Sequence, residues 1–209
     1  MRDPVSETAR TRRIYDRSAQ RYDRQIGFFE RVLFEDGRAW ACSRAHGDTL
    51  EIAFGTARNL PFYDPAVNLT GIELSPEMVA LAHERQRELG READLRVGDA
   101  QSLEFGDRSF DTVVSTLTLC TIPDPARAVA EAFRVLRPGG RFVLLEHVRS
   151  PAGGVRFVQR LLNPLTVRFE ADHLLREPLE YLNSAGFEID EMRRSKWGIV
   201  ERTTAVKPG

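Results

Sequence analysis

The reading of the fold turns on Leu50-Glu51-Ile52-Ala53-Phe54-Gly55-Thr56-Ala57-Arg58-Asn59-Leu60. An apolar run, Thr49 to Phe54, breaks at Gly55 into small residues, the pattern of a strand entering a tight strand-to-helix turn. Small residues let a ligand approach the backbone, and the N–H groups of a following helix start favour an anionic group such as a carboxylate. Taken alone the turn says little. It lacks the three glycines of a dinucleotide fingerprint, and Gly55 has an ordinary alternative as a turn glycine.

Downstream, short apolar runs alternate with stretches of helical periodicity, as in a parallel sheet with crossover helices. The expected strands are Thr49 to Phe54, Asn68 to Leu74, Ala93 to Asp99, Phe110 to Leu119 and Arg141 to Val148. Continuous apolar runs such as Phe142-Val143-Leu144-Leu145 imply burial on both faces. Ser75-Pro76 opens a helix that stops at Gly90, and Asp124-Pro125 opens another that turns Ala128, Ala132, Val135 and Leu136 to the sheet. That second helix ends at the turn Arg137-Pro138-Gly139-Gly140. A last helix, Pro178 to Ala185, stops at Gly186, and Phe187 to Lys207 reads as a hairpin about Trp197-Gly198.

Two acids then stand out. Gly71-Ile72-Glu73-Leu74 leaves a carboxylate at the tip of the second strand, where it can accept hydrogen bonds from both ribose hydroxyls. Gly98-Asp99-Ala100 leaves another at the tip of the third, within reach of an adenine amino group. Each acid alone has a structural alternative, Glu73 as a cap on the Ser75 helix. Together, at successive strand tips, they describe a nucleoside pocket at a switch region of the sheet.

The chain has 209 residues, room for one domain and one sizeable core. With 42% hydrophobic and 29% charged residues it reads as globular, and a formal net charge of −1 argues against a generally cationic surface for nucleic acid. Cys42 and Cys120 stand apart with no second cysteine nearby, which points to a reducing cytoplasm and no metal clip. Met1-Arg2-Asp3-Pro4 lacks the apolar run of a leader, and no stretch approaches the roughly 20 apolar residues of a membrane span, so any membrane contact is expected to be peripheral.

Three parts are expected: an N-terminal helical cap (1–46), a ligand-binding core (47–150) and a substrate-facing helix with a C-terminal hairpin (151–209). In the cap, Arg10, Arg13, Arg17, Arg21 and Arg24 share one helical face, and Tyr15, Ala19, Tyr22 and Ile26 share the opposite one. The arginines are either merely solvated, partly balanced by Asp16 and Asp23, or they meet an anionic surface. In 155–165, Val155, Val158, Leu162 and Leu165 form an apolar stripe with Arg156 and Arg160 facing away. That helix is expected to pack its stripe inward, as a surface helix on the sheet or as part of a lid.

These motifs resemble those of class I S-adenosylmethionine-dependent methyltransferases, over about Thr11 to Lys207. The likeness rests on the first loop, on Gly71 to Met78, Gly98-Asp99-Ala100, Ser109-Phe110-Asp111-Thr112-Val113-Val114, and Val135 to Gly140. Tyr15-Asp16-Arg17 and Tyr22-Asp23 are similar to the ubiquinone/menaquinone C-methyltransferases. Thr116-Leu117-Thr118-Leu119-Cys120 and Leu145-Glu146-His147-Val148 are similar to the phosphatidylethanolamine N-methyltransferase and small-thiol methyltransferase branches.

The resemblance implies a Rossmann-like α/β fold, a seven-stranded mostly parallel sheet whose last strand is antiparallel, and S-adenosylmethionine as the methyl donor. It also implies that Glu51, Gly55 and Thr56 flank the methionine part, Glu73 holds the ribose, Met78 packs by the adenine and Asp99 with Ala100 reads it, with Ala53, Asn59, Leu74 and Gln101 in the same cofactor-binding set. Thr116 and Leu117 complete the set, with Tyr22 from the cap. Ala53 and Ala57 depart from the family's glycines, which puts the loop's shape and the tightness of binding in question.

Methyl transfer from a sulfonium is a direct displacement, so positioning supplies much of the catalysis. Tyr15 and Tyr22 are candidates to face the sulfonium, or else to pack in the core. His147, just past the fifth strand, is the candidate base, with Asp172-His173 as another, and a histidine bonded to a neighbouring loop as the plain alternative. The Ser115 to Thr118 stretch lacks the Asn-Pro-Pro-Tyr motif of enzymes that methylate DNA bases. A small or lipid-like acceptor is expected. A non-catalytic nucleotide-binding module and, without its fingerprint, a nicotinamide dehydrogenase are the alternatives.

Overall fold

The computed structural model describes residues 4–209; Met1 to Asp3, where the chain was read for a leader, lie outside them. In chain order the elements are α1 (Pro4–Phe29), a π-helical turn (Glu30–Phe34), α2 (Gly37–Cys42), β1 (Asp48–Ile52), a short 3-10 helix (Leu60–Phe62), β2 (Asn68–Glu73), α3 (Pro76–Leu89) and β3 (Asp94–Val97). There follow β4 (Phe110–Thr116), α4 (Pro125–Val135), β5 (Leu136–His147), α5 (Gly153–Glu170), α6 (Pro178–Ala185), β6 (Glu188–Ser195) and β7 (Val200–Val206).

The seven strands form one sheet in the order β3-β2-β1-β4-β5-β7-β6. β1 to β5 pair in parallel, and β7 runs antiparallel to both β5 and β6. The strand order reverses between β1 and β4, and in such sheets the crevice outside the carboxyl ends at that point takes the ligand. Alternation along each strand buries both faces, as the apolar runs imply: Val113, Phe142 and Leu144 point to one core and Val114, Val143 and Leu145 to the other.

The expected punctuation is present. Ser75 Oγ accepts the N–H of Met78 at the start of α3, Asp124 accepts that of Arg127 at the start of α4, and Gly90 closes α3 in the left-handed conformation. The β6–β7 hairpin also forms about Trp197-Gly198.

Four expectations need correction. No α-helix follows β1: Ala53, Gly55 and Ala57 all take φ between +51° and +59°, and only the 3-10 helix forms before β2. The strands are also shorter at their carboxyl ends, β4 stopping at Thr116 because Leu117 turns at φ +57° and the Glu146 carboxylate collects the N–H groups of Thr118 and Leu119. Arg137-Pro138-Gly139-Gly140 is part of β5, not a turn before it. Leu136 pairs with Phe110, and the ladder resumes at Thr112–Arg141 past a bulge that absorbs Pro138, which has no N–H to donate, and Gly139 at φ +77°. Finally, Val158, Leu162 and Leu165 of α5 face outward, and the only buried residue of that helix is Gln159.

Candidate active site

At the carboxyl ends of β1, β2 and β4, beneath α1, lies a cleft whose space, open mouth included, is about 780 Å³. The turn after β1 contributes Ala53, Phe54, Gly55 and Thr56. A Cβ built on Gly55 would find nothing nearer than the Tyr22 ring at 3.9 Å, so the backbone there borders open space. The Gly55 N–H does not wait for an anionic ligand, as the turn suggested. It donates to Glu73 Oε2 at 3.1 Å.

Glu73 thus ties two strand tips together, since its other oxygen accepts the Ser75 N–H at 2.9 Å. Burial raises the pKa of this carboxyl, against the pull of those backbone hydrogen bonds. The Leu74 N–H also favours the charged form, and a carboxylate with about four acceptor sites keeps room for a further donor such as a ribose hydroxyl. Leu74 and Met78 supply the apolar wall beside it. Past β3, Gly98, Asp99, Ala100 and Gln101 line the next side. Asp99 Oδ1 accepts both the backbone N–H and the side-chain amide of Gln101, each at 2.9 Å, and Gln101 Oε1 accepts the Asp124 N–H at the start of α4. Thr116, Leu117 and Thr118 close the far end. Gly55, Glu73 and Asp99 are therefore brought to one cleft, and its open floor, acceptor oxygens and apolar wall fit an adenosyl ligand.

α1 forms the roof with Thr11, Tyr15 and Tyr22. The two tyrosine rings stand edge to face, 6.3 Å between centroids. Asp16 and Asp23 do not balance the arginine stripe as expected; they fasten the roof down. Asp16 accepts from Ser75 Oγ and Asp23 from Thr56 Oγ1, both at 2.6 Å, with Arg85 closing a further contact to Asp23.

Glu51 and Asn59 lie under the cleft without bordering it. Glu51 accepts from Asn59 Nδ2 and from the Tyr63 hydroxyl, both at 2.8 Å, and burial pushes its pKa up to about 7. The side chain that reaches the cleft instead is Arg38 of α2, which donates to Asn59 Oδ1 at 2.8 Å, Thr116 Oγ1 at 3.1 Å and Glu30 Oε1 at 2.9 Å. Reading by motif missed it. Its one signal was an arginine at the edge of the apolar run Ala39-Trp40-Ala41-Cys42. Arg58, Thr121, Ile122 and Pro123 are further wall residues that the motifs did not mark.

His147 is also absent from the cleft wall. Its Nε2 lies 2.9 Å from Asp172 Oδ1, and its Nδ1 is buried without a hydrogen-bond partner. Burial pulls the imidazole pKa down, but the Asp172 carboxylate outweighs it and the net shift is upward; burial likewise raises Asp172, and His147 reverses that to a net lowering. Cys120 completes the cluster. Its sulfur, a His147 ring nitrogen and an Asp172 oxygen lie within 4.8 Å of one another, a donor set of the kind zinc accepts. Tyr15, on the cleft wall, lies within electrostatic reach of both Cys120 and Asp172.

A family model described as a methyltransferase domain matches residues 50–144. The phosphatidylethanolamine N-methyltransferase of Cereibacter sphaeroides is 40% identical over 126 residues, 59% of this chain and 60% of that protein, so the match spans less than two thirds of that relative. Human thiol S-methyltransferase TMT1A is 31% identical over 171 residues, 79% of this chain and 70% of that protein. Among solved structures, a methyltransferase from Thermotoga maritima described as a possible histamine N-methyltransferase gives a TM-score of 0.72 over 93% of this chain and 99% of that one. At 22% identity it speaks for the fold alone. With the seven-stranded sheet and the adenosyl-shaped cleft at its switch point, these matches make the chain a member of the S-adenosylmethionine-dependent methyltransferases.

Proposed function

We propose that this chain transfers a methyl group from S-adenosylmethionine to a small or lipid-like acceptor whose nucleophilic atom carries a proton. When bound, S-adenosylmethionine supplies an electrophilic methyl on a sulfonium. The residues suited to hold it are Glu73 and Asp99 at the nucleoside end and Gly55, Thr56 and Arg38 at the other. Tyr15 and Tyr22 present ring faces and edges from the roof, a surface that suits a cation.

One observation carries the acceptor reading: a buried histidine whose one ring nitrogen is bound to a carboxylate while the other is free. Asp172 keeps the imidazole proton on Nε2, so the Nδ1 lone pair stays open to a proton, and the carboxylate stabilises the imidazolium that results. As the acceptor atom bonds to the methyl carbon, the C–S electron pair leaves with sulfur and the acceptor's proton is taken by His147 Nδ1; Tyr15 is a cleft-wall residue within electrostatic reach of Asp172, and its hydroxyl donates to the Glu170 carbonyl at 3.5 Å. The relatives support this choice, because their names state transfer to an ethanolamine nitrogen and to a thiol sulfur, both of which lose a proton on methylation.

A labelled-methyl assay over thiols, ethanolamine lipids, quinols and phenols tests the proposal. Transfer to thiols or ethanolamine lipids supports it. Transfer to quinol carbon also fits, because that carbon sheds its hydrogen as a proton on methylation, and saturable S-adenosylhomocysteine binding with no transfer to any of them would favour a binding module.

A further inference from the structure

α5 is mounted with its polar side against the protein. Gln159 donates to the carbonyls of Val148 and Leu174 at 2.9 and 3.1 Å and accepts the Ser150 N–H at 2.9 Å. Asn163 accepts the Leu174 N–H, and the Thr166 hydroxyl donates to the Asp172 carbonyl. The opposite side carries Phe157, Leu161 and Phe169, which are 62%, 62% and 66% exposed, with Val158, Leu162 and Leu165 beside them. At 100° per residue these six span one continuous face. An apolar face of this width turned to solvent, with buried amides holding it there, implies a covering surface.

The charges around it select the occupant. Around the helix Arg160 borders the apolar face, Arg168 falls within it near the helix end and Arg156 lies further round, half-buried, and Arg13, Arg17, Arg21 and Arg24 stand exposed in one line on α1, the helix against which the end of α5 rests through Arg10 and the carbonyls of Val167 and Arg168. Among the described residues none of these seven guanidinium groups meets a carboxylate, although the chain as a whole has a net charge of −1. A second copy docked face to face would bring like charges together. Trp197, 72% exposed, sits beside the start of α5, its carbonyl accepting from Ser150 Oγ at 2.6 Å, and tryptophan suits the boundary between lipid and water.

We infer that the outward face of α5 docks this chain onto an anionic lipid surface, with the apolar side chains entering the headgroup boundary and the arginines meeting lipid phosphates. No described helix is long and apolar enough to cross a membrane. The inference is independent of which acceptor is methylated, because docking is read without turnover.

The test is co-sedimentation of the full chain with vesicles of phosphatidylcholine alone and of phosphatidylcholine mixed with phosphatidylglycerol. The chain is expected to sediment with the mixed vesicles, less so as salt is raised, and the F157S/L161S/F169S variant to lose at least about tenfold in that partition. S-adenosylhomocysteine affinity, measured by calorimetry, stays the same in the variant, which separates a lost surface from a lost fold. Three outcomes overturn the inference: a wild-type chain that stays in solution with both vesicles, equal sedimentation of the variant, or a dimer in analytical ultracentrifugation that the variant splits while vesicle binding is absent.

Discussion

α4 and α5 stand on either side of β5 in the chain, both amphipathic, and they are mounted in opposite senses. α4 turns Ala128, Val129, Ala132 and Val135 into the sheet and buries them. α5 turns Gln159, Asn163 and Thr166 inward and leaves its phenylalanines and leucines outside. Periodicity separates two faces of a helix, but it does not say which face meets the protein. For α4 a wide apolar sheet face decides the matter. α5 meets instead the turn after β5 and the 172–174 loop, whose carbonyls and N–H groups need polar partners.

The same contrast divides the cleft. Its strand tips present groups fixed by the sheet, and its roof and the His147 cluster come from α1 and from the end of β5 with the 172–174 loop. The largest expected effect is therefore at a tip. Glu73→Ala removes acceptors for two ribose hydroxyls and leaves the Gly55 and Ser75 N–H groups unmatched. At about 1.5–3 kcal/mol for each charge-assisted hydrogen bond, S-adenosylhomocysteine binding weakens at least about a hundredfold by calorimetry. Should it weaken less than the same measurement on Tyr22→Phe, the roof and not the tips would hold the ligand.

His147→Ala is expected to lower turnover by about a hundredfold, the low end for loss of a general base, with S-adenosylhomocysteine affinity unchanged. The pH profile of Asp172→Asn sharpens the assignment. In the wild type His147 has a raised pKa, so the neutral, proton-accepting form, and with it turnover, grows as pH rises through that value. Without the Asp172 carboxylate the rising limb moves to lower pH, while Glu146, Arg176 and Cys120 still face the ring. The pair's contribution to stability runs the opposite way at that end: it is lost as pH rises through the raised pKa of His147, and also as pH falls through the lowered pKa of Asp172. A profile that does not move in Asp172→Asn would make the pair a structural tie.

The two helices can be compared directly by denaturant unfolding. Gln159→Leu strands three backbone groups and costs about 2 kcal/mol or more, and Val129→Ala costs about the same through lost packing. Leu161→Ser stays within about 0.5 kcal/mol, because the side chain is already in solvent. If Leu161→Ser unfolds the chain and Gln159→Leu does not, the inverted mounting is wrong. The smallest effect is at the first loop. Ala57 is held at φ +58°, where a Cβ costs about 1–2 kcal/mol, and glycine's extra freedom when unfolded returns about half of that, so Ala57→Gly stabilises by roughly 0.5–1 kcal/mol.

How much of this was legible follows from where the physics is local. Ser75, Asp124 and Gly90 announce their caps by residue type and spacing alone. Glu73 and Asp99 were found because a strand's end fixes where the next side chain goes, and the parallel register does the rest. Ala53 and Ala57 both take positive φ, a region that glycine adopts freely and alanine does not, so the loop carries backbone strain at both. Arg38 and the pairing of His147 with Asp172 join residues far apart in the chain, and no periodicity carries such a contact. Glu51 and Asn59 were placed one layer too high, because a motif names residues near a ligand without saying that Arg38 lies between. The outward face of α5 was read inside out for the reason its comparison with α4 gives.

The central claim is that the tips of β1, β2 and β3 grip one adenosyl ligand. A crystal structure of the chain with S-adenosylhomocysteine tests it most directly. The account predicts ribose hydroxyls on Glu73, adenine beside Asp99 and Ala100, and the homocysteine end over Gly55. A ligand seated elsewhere, or side chains filling the space between those three tips, would contradict it.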